Sequence, residues 1–160
     1  MKVLVAGHAR HGKDCTAAYI QDELGLTFES SSLFAAEAAV IPYLAQRGVH
    51  YDTVHDAYQD RHQYRAEWKQ AISEYNTPDK SRLTKELLSA YDMYVGMRAA
   101  DEFAASKHLF DLTIWVDASK RKPPEPTCGI KPEDCDLVIL NNGTERELQT
   151  KVKRICRWIK

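Results

Sequence analysis

The sequence predicts an α/β fold, a doubly wound parallel sheet of about five strands with one helical insert, on three observations. Short aliphatic runs recur along the chain, stretches with helical spacing separate them, and one long polar and aromatic segment, residues 48–90, interrupts the alternation. Strands that alternate with helices pair in parallel, and helices then cover both faces of the sheet. At 160 residues and 44% hydrophobic composition, the chain suits a single domain, 1–160, with a substantial core.

The elements follow in order. Lys2 to Ala6 is an aliphatic strand ending at Gly7, and from Lys13 the apolar positions Ala17, Ala18, Ile20 and Leu24 recur at helical spacing until Gly25 stops the pattern. Leu26 to Glu29 reads as a second strand, and Ser30-Ser-Ser32 leads into an apolar helix from Leu33 to about Leu44. In the insert, Tyr58, Tyr64, Trp68, Ile72 and Tyr75 approximate one helix face. A break follows at Asn76-Thr-Pro78, and a further helix starts near Lys80. Met93-Tyr-Val95, Leu112 to Val116 and Leu137 to Leu140 are the remaining strands, with a helix running to about Lys107 between the first two. Pro123, Pro124, Pro126 and Pro132 mark an irregular stretch between the fourth and fifth strands. The last helix opens with a capping box, Thr144 and Glu147, and turns Leu148, Val152 and Ile155 inward.

Charge and cysteine content narrow the function classes. Lys plus Arg (22) nearly cancels Asp plus Glu (23), so any nucleic-acid or membrane contact needs a local patch rather than a global basic field. No basic leader and no apolar stretch approaches the ~20 residues a membrane span needs, so the expectation is a cytoplasmic protein with no membrane partner. Cys15, Cys128, Cys135 and Cys156 are sparse and irregular, as in the reduced thiols of a cytosol. Cys128 and Cys135, with His108 nearby, lack the close paired spacing of a zinc site.

The chemistry concentrates in Gly7-His-Ala-Arg-His-Gly12-Lys13, which fits G-x-x-x-x-G-K between a strand and a helix. Glycines let the backbone wrap tightly, its amides point at the β- and γ-phosphates, the helix N-terminus adds positive potential, and Lys13 follows the γ-phosphate. The pattern predicts a P-loop NTPase-type domain that binds ATP with Mg2+ through Gly7, Arg10, Gly12, Lys13, Asp14, Cys15 and Thr16. Asp14 stands where a serine or threonine normally holds magnesium, and Thr16 lies two residues on. Asp14 or Thr16 is the candidate metal ligand, with helix capping the competing role for Asp14. Arg10 faces phosphate oxygens or solvent, and His11 is read as a solvated side chain at the loop tip.

Beyond the loop the sequence resembles the bacteriophage deoxynucleoside monophosphate kinases, whose loop reads Gly-Lys-Asp-Thr; here it is Gly12-Lys-Asp-Cys-Thr16, one residue displaced. In that group a strand ends in Asp-Val-Arg with a glutamate four residues later, matched here by Gly96-Met-Arg98 and Glu102. Glycine for aspartate puts a metal role at that strand end in doubt. Asp136 to Gly143 is a third, weaker block. The resemblance covers roughly the first 35 and last 75 residues and leaves the insert unexplained. Within the insert, His62-Gln-Tyr-Arg65-Ala-Glu-Trp68 and Tyr75-Asn76 are similar to small phage kinases that phosphorylate the hydroxymethyl group of 5-hydroxymethyluracil in DNA.

The resemblance implies transfer of the γ-phosphate of ATP to a nucleotide or DNA acceptor. The first expectation is 5-hydroxymethyluracil in DNA, the second a deoxynucleoside monophosphate, and a module that binds ATP without transferring it is the third. Lys13 and Arg98 are the candidate catalytic cations. Glu29, at the end of the second strand, is the candidate base for an alkyl hydroxyl, ahead of Asp56. Arg61 and Arg65 are candidate phosphate contacts, and Trp68, Tyr64 and Tyr75 either stack on a base or belong to the core. The segment from Ala118 to Pro126 reads as a short, basic, proline-stiffened lid.

Overall fold

The computed structural model describes residues 1–160. Five strands, β1 (Val3–Ala6), β2 (Phe28–Ser30), β3 (Met93–Val95), β4 (Leu112–Asp117) and β5 (Leu137–Leu140), form one sheet in the order β2-β3-β1-β4-β5, with every pairing parallel. Strand β1 is central, which is why Val3, Leu4, Val5 and Ala6 are an unbroken aliphatic run with no solvent exposure.

Pleating sends alternate residues to opposite faces. Val3, Val5, Met93, Val95, Ile114 and Val116 pack against α1 (Lys13–Leu24) and α8 (Glu145–Ile159), which bring Ala17, Ile20, Leu148 and Val152 to that layer. Leu4, Tyr94 and Trp115 face the other way, onto Leu87 and Leu88 of α6 (Arg82–Ala90) and Phe103 of α7 (Ala100–Ser106). The expected punctuation holds: α1 ends on Gly25 in the left-handed region, and Thr144 and Glu147 cap α8 reciprocally.

The insert shares a small core with the helical segment that precedes it. Helix α2 (Ser31–Ala35) continues through a π-helical segment, Ala36–Val40, into α3 (Ile41–Ala45). Pro42, which lacks an N–H and clashes with the carbonyl four residues back, accounts for the widened register just before it. Where the periodicity predicted one helical face from Tyr58 to Tyr75, the structure forms two helices, α4 (Val54–Gln59) and α5 (Arg65–Tyr75), joined by a 3-10 turn at Asp60–His62. Ala36, Val40, Leu44, Trp68 and Ala71 make the centre of this unit. No helix is long and apolar enough to cross a membrane.

Candidate active site: a phosphate loop closed by its own lid

Strand β1 delivers the chain to Gly7 at the C-terminal edge of the sheet, and the loop turns over Arg10, an exposed residue at φ 61°, before entering α1 at Lys13. Gly12 has φ 96°, and the adjoining His11 carbonyl accepts the Asn141 Nδ2 donor at 2.9 Å. Lys13 is only 7% exposed, and its ammonium donates to the His8 carbonyl at 2.8 Å. Burial, and then repulsion from Arg98, hold its pKa below the ordinary lysine value. A buried cation with one neutral partner is a strong receptor for an anion.

Asp14 and Cys15 are exposed on the first turn of α1. Thr16 is not: it has no exposure, and its hydroxyl donates to the Gly12 carbonyl at 2.9 Å. Helical spacing puts Thr16 on the buried stripe with Ala17 and Ile20, so it leaves the set of metal-facing residues and Asp14 remains. No group of three or more His, Cys, Asp or Glu side chains gathers anywhere as a metal cage. One carboxylate beside a phosphate cradle nevertheless fits magnesium, which is commonly held by one or two carboxylates together with substrate phosphates.

Across the loop, Gly96 ends the third strand at φ 101°, and a Cβ there would lie 3.1 Å from Ser31 Oγ and 3.9 Å from Lys13 Cε. Any side chain here is therefore strained and presses on Ser31 Oγ, a physical reason for glycine in place of the aspartate. Glu102 is not a partner of Arg98. It is 7% exposed and accepts from the Tyr94 and Thr84 hydroxyls at 2.9 and 3.2 Å, and burial raises its pKa. Arg98 pairs instead with Glu125, Nη1 to Oε1 at 2.8 Å. Glu29 is half-buried and accepts the Ser30 N–H at 2.7 Å. It stands in register with Tyr94 and so lies on the sheet face that also carries α6 and α7.

His11 overturns its expected role. His11 is fully buried, not solvated: its Nδ1 accepts the Ala118 N–H at 2.9 Å, so Nε2 carries the proton and faces the Pro123 carbonyl at 3.3 Å. His8 Nδ1 accepts the Glu125 N–H at 3.0 Å, and burial lowers its pKa. Glu125 completes the closure by accepting the Ala9 N–H through Oε2 at 3.0 Å. The lid is further held by Arg121, which donates to the Asn141 carbonyl from Nε and Nη2 at 2.9 and 2.7 Å, and by Gly129 N–H on the Arg98 carbonyl at 2.8 Å. His8, Asn141 and Glu125 escaped the sequence reading. The place of Asn141 directly after the last strand was the one usable signal.

The insert residues divide. Trp68 is 8% exposed in the insert core, with its indole N–H unpartnered, so it is a packing residue rather than a stacking platform. Tyr64 packs against the same cluster. The Tyr75 hydroxyl bonds Glu86, and Arg82 lies 3.9 Å from the centre of its ring. Arg61 rests 3.9 Å over the Tyr58 ring and donates to the Tyr58 carbonyl at 2.8 Å. Arg65, at the start of α5, is exposed. Asp56 is an exposed first-turn residue whose N–H is capped by Thr53.

No family model matches the chain, and no curated protein sequence does. Among solved structures, a shikimate kinase from Aquifex aeolicus superposes with a TM-score of 0.52 at 10% identity, covering 99% of this chain and 98% of that one. The chain shares the fold of that structure, a five-stranded parallel sheet with helices on both faces. A sugar kinase from Janibacter sp. superposes at a TM-score of 0.48 and 16% identity, over 99% of this chain and 93% of that one.

Proposed function

We propose that this protein is an ATP- and magnesium-dependent phosphotransferase whose acceptor is a nucleotide-type hydroxyl, first the hydroxymethyl group of 5-hydroxymethyluracil in DNA. The observation that carries the reading is the buried Lys13 at the entry of α1, facing Gly96 and within the field of Arg98, beneath a loop whose Ala9 amide already binds a carboxylate. ATP supplies the transferable γ-phosphoryl group, and magnesium, which Asp14 would hold, would supply charge neutralisation. Lys13, the loop amides and Arg98 stabilise the charge that spreads over the transferring group. The acceptor oxygen bonds to the γ-phosphorus as the bond to the bridging oxygen breaks. ADP leaves, and the acceptor proton passes to the Glu29 carboxylate.

A hydroxyl acceptor is supported by Glu29, one residue from the C-terminal end of β2, and a bulky polymer acceptor by the short lid. With Trp68 assigned to the core, acceptor recognition falls to Arg65 and Arg61. The test is label transfer from γ-labelled ATP to a panel of 5-hydroxymethyluracil DNA, unmodified DNA and free deoxynucleoside monophosphates. Transfer to the modified DNA alone is expected, with log activity falling against log salt at a slope of roughly 2 to 3 for the few phosphates contacted. Glu29→Gln should slow that transfer about 100-fold or more and leave ATP binding intact. Brisk phosphorylation of a free monophosphate with none of the modified DNA would replace the first acceptor with the second. Absence of turnover with every acceptor would leave a nucleotide-binding module.

A further inference from the structure

We propose that Glu125 is a built-in occupant of the phosphate loop: its carboxylate fills the seat between the Ala9 amide and the Arg98 guanidinium that a phosphoryl group must take over. The proposal rests on the reading of this loop as a phosphate site. The two oxygens divide the work, Oε2 accepting the Ala9 N–H at 3.0 Å and Oε1 pairing with Arg98 Nη1 at 2.8 Å. An amide of a glycine-bounded loop and an arginine are the donors that suit a phosphate, and a carboxylate meets them with a single negative charge on a smaller frame.

The arrangement is held from several directions. The Glu125 backbone N–H is fixed on His8 Nδ1, Pro123 meets His11 Nε2 through its carbonyl, and the start of the lid at Ala118 is anchored to His11 Nδ1. Lys13, by contrast, stays on the His8 carbonyl and takes no part in the pairing. Glu125 is thus a dedicated partner for Arg98, and it offsets the repulsion that Arg98 exerts on Lys13. When phosphate enters, the carboxylate is expelled by like charge and Arg98 is freed to reach the transferring group, while the backbone contacts of the lid with His8 and His11 stay in place. Phosphate binding and release of the Glu125 carboxylate are therefore one exchange. Ligand affinity is reduced by the fraction of molecules that keep Glu125 in place.

The experiment uses the whole chain and pyrophosphate as probe, titrated calorimetrically at constant pH and ionic strength into wild type, Glu125→Gln, Glu125→Ala and Lys13→Met. Both Glu125 variants should bind pyrophosphate about 10-fold more tightly than wild type, as expected when a state populated about nine times in ten is removed. Lys13→Met should lose binding. Unchanged or weaker binding in the Glu125 variants, with binding still dependent on Lys13, overturns the plug and leaves the phosphate site standing. No binding in wild type and Glu125 variants alike overturns both.

Discussion

Replacing Gly12 by alanine perturbs the phosphate loop at one atom, and the structure fixes what that atom meets. Gly12 has φ 96° and ψ 25°, and a side chain in that region costs about 1–3 kcal/mol. The added Cβ would also lie 2.4 Å from Asn141 Nδ2, with Leu148 Cδ2 behind it at 3.8 Å. Asn141 is 7% exposed, so its amide has little room to swing away without breaking the 2.9 Å bond to the His11 carbonyl. An orphaned buried pair costs a further ~1–3 kcal/mol. The total, about 2–6 kcal/mol, should lower the melting temperature by roughly 5–20 °C for a chain of this size. Gly25→Ala is the matched control: Gly25 is left-handed at φ 73°, but nothing lies within 4 Å of its added Cβ, so strain acts alone. Scanning calorimetry should place Gly12→Ala well below Gly25→Ala. Asn141→Ala should absorb part of the Gly12→Ala effect, because it removes the obstructing amide. Equal melting temperatures for the two glycine variants, or full additivity with Asn141→Ala, would refute the coupling between the loop and the end of β5.

Lys13→Met should melt at or above wild type, since the buried ammonium is disfavoured by desolvation and by Arg98, yet reduce label transfer by about 100- to 1000-fold or more; a large drop in melting temperature would contradict this. Trp68→Ala should cost about 3–5 kcal/mol in urea denaturation, as a buried aromatic ring does. Arg65→Ala should stay within roughly 0.5 kcal/mol and reduce acceptor use alone; the reverse ranking would return Trp68 to the surface. Glu102 has its pKa raised above the ordinary 4.5, so the folded state binds more protons than the unfolded one, and stability should fall as pH rises from 4.5 through the raised value. Glu102→Gln, which keeps an acceptor for Tyr94 and Thr84, should lack that fall; stability profiles that run parallel between about pH 4 and 7 would remove Glu102 as the cause.

Local rules carried much of the fold. The limits of α1, the capping box of α8, the aliphatic strands and the placement of Lys13 on a helix N-terminus depend on residues within a few positions of one another, so sequence alone determined them. The periodicity of α1 also contained the exclusion of Thr16, once its position on the stripe with Ala17 and Ile20 is counted. What only the tertiary structure decided is long-range. The contact of Glu125 with the Ala9 amide spans 116 residues, and that of Asn141 with His11 spans 130. The aromatic stripe of the insert was visible, but periodicity cannot say whether Trp68 meets water or the α2–α3 arm, because either arrangement repeats every 3.6 residues. His11 looks like a loop-tip residue until a lid over 100 positions away supplies its two partners. Glycine, proline and hydrophobic spacing act through the backbone near them, whereas the closure of this site depends on which distant donors and acceptors the folded sheet brings within hydrogen-bonding reach.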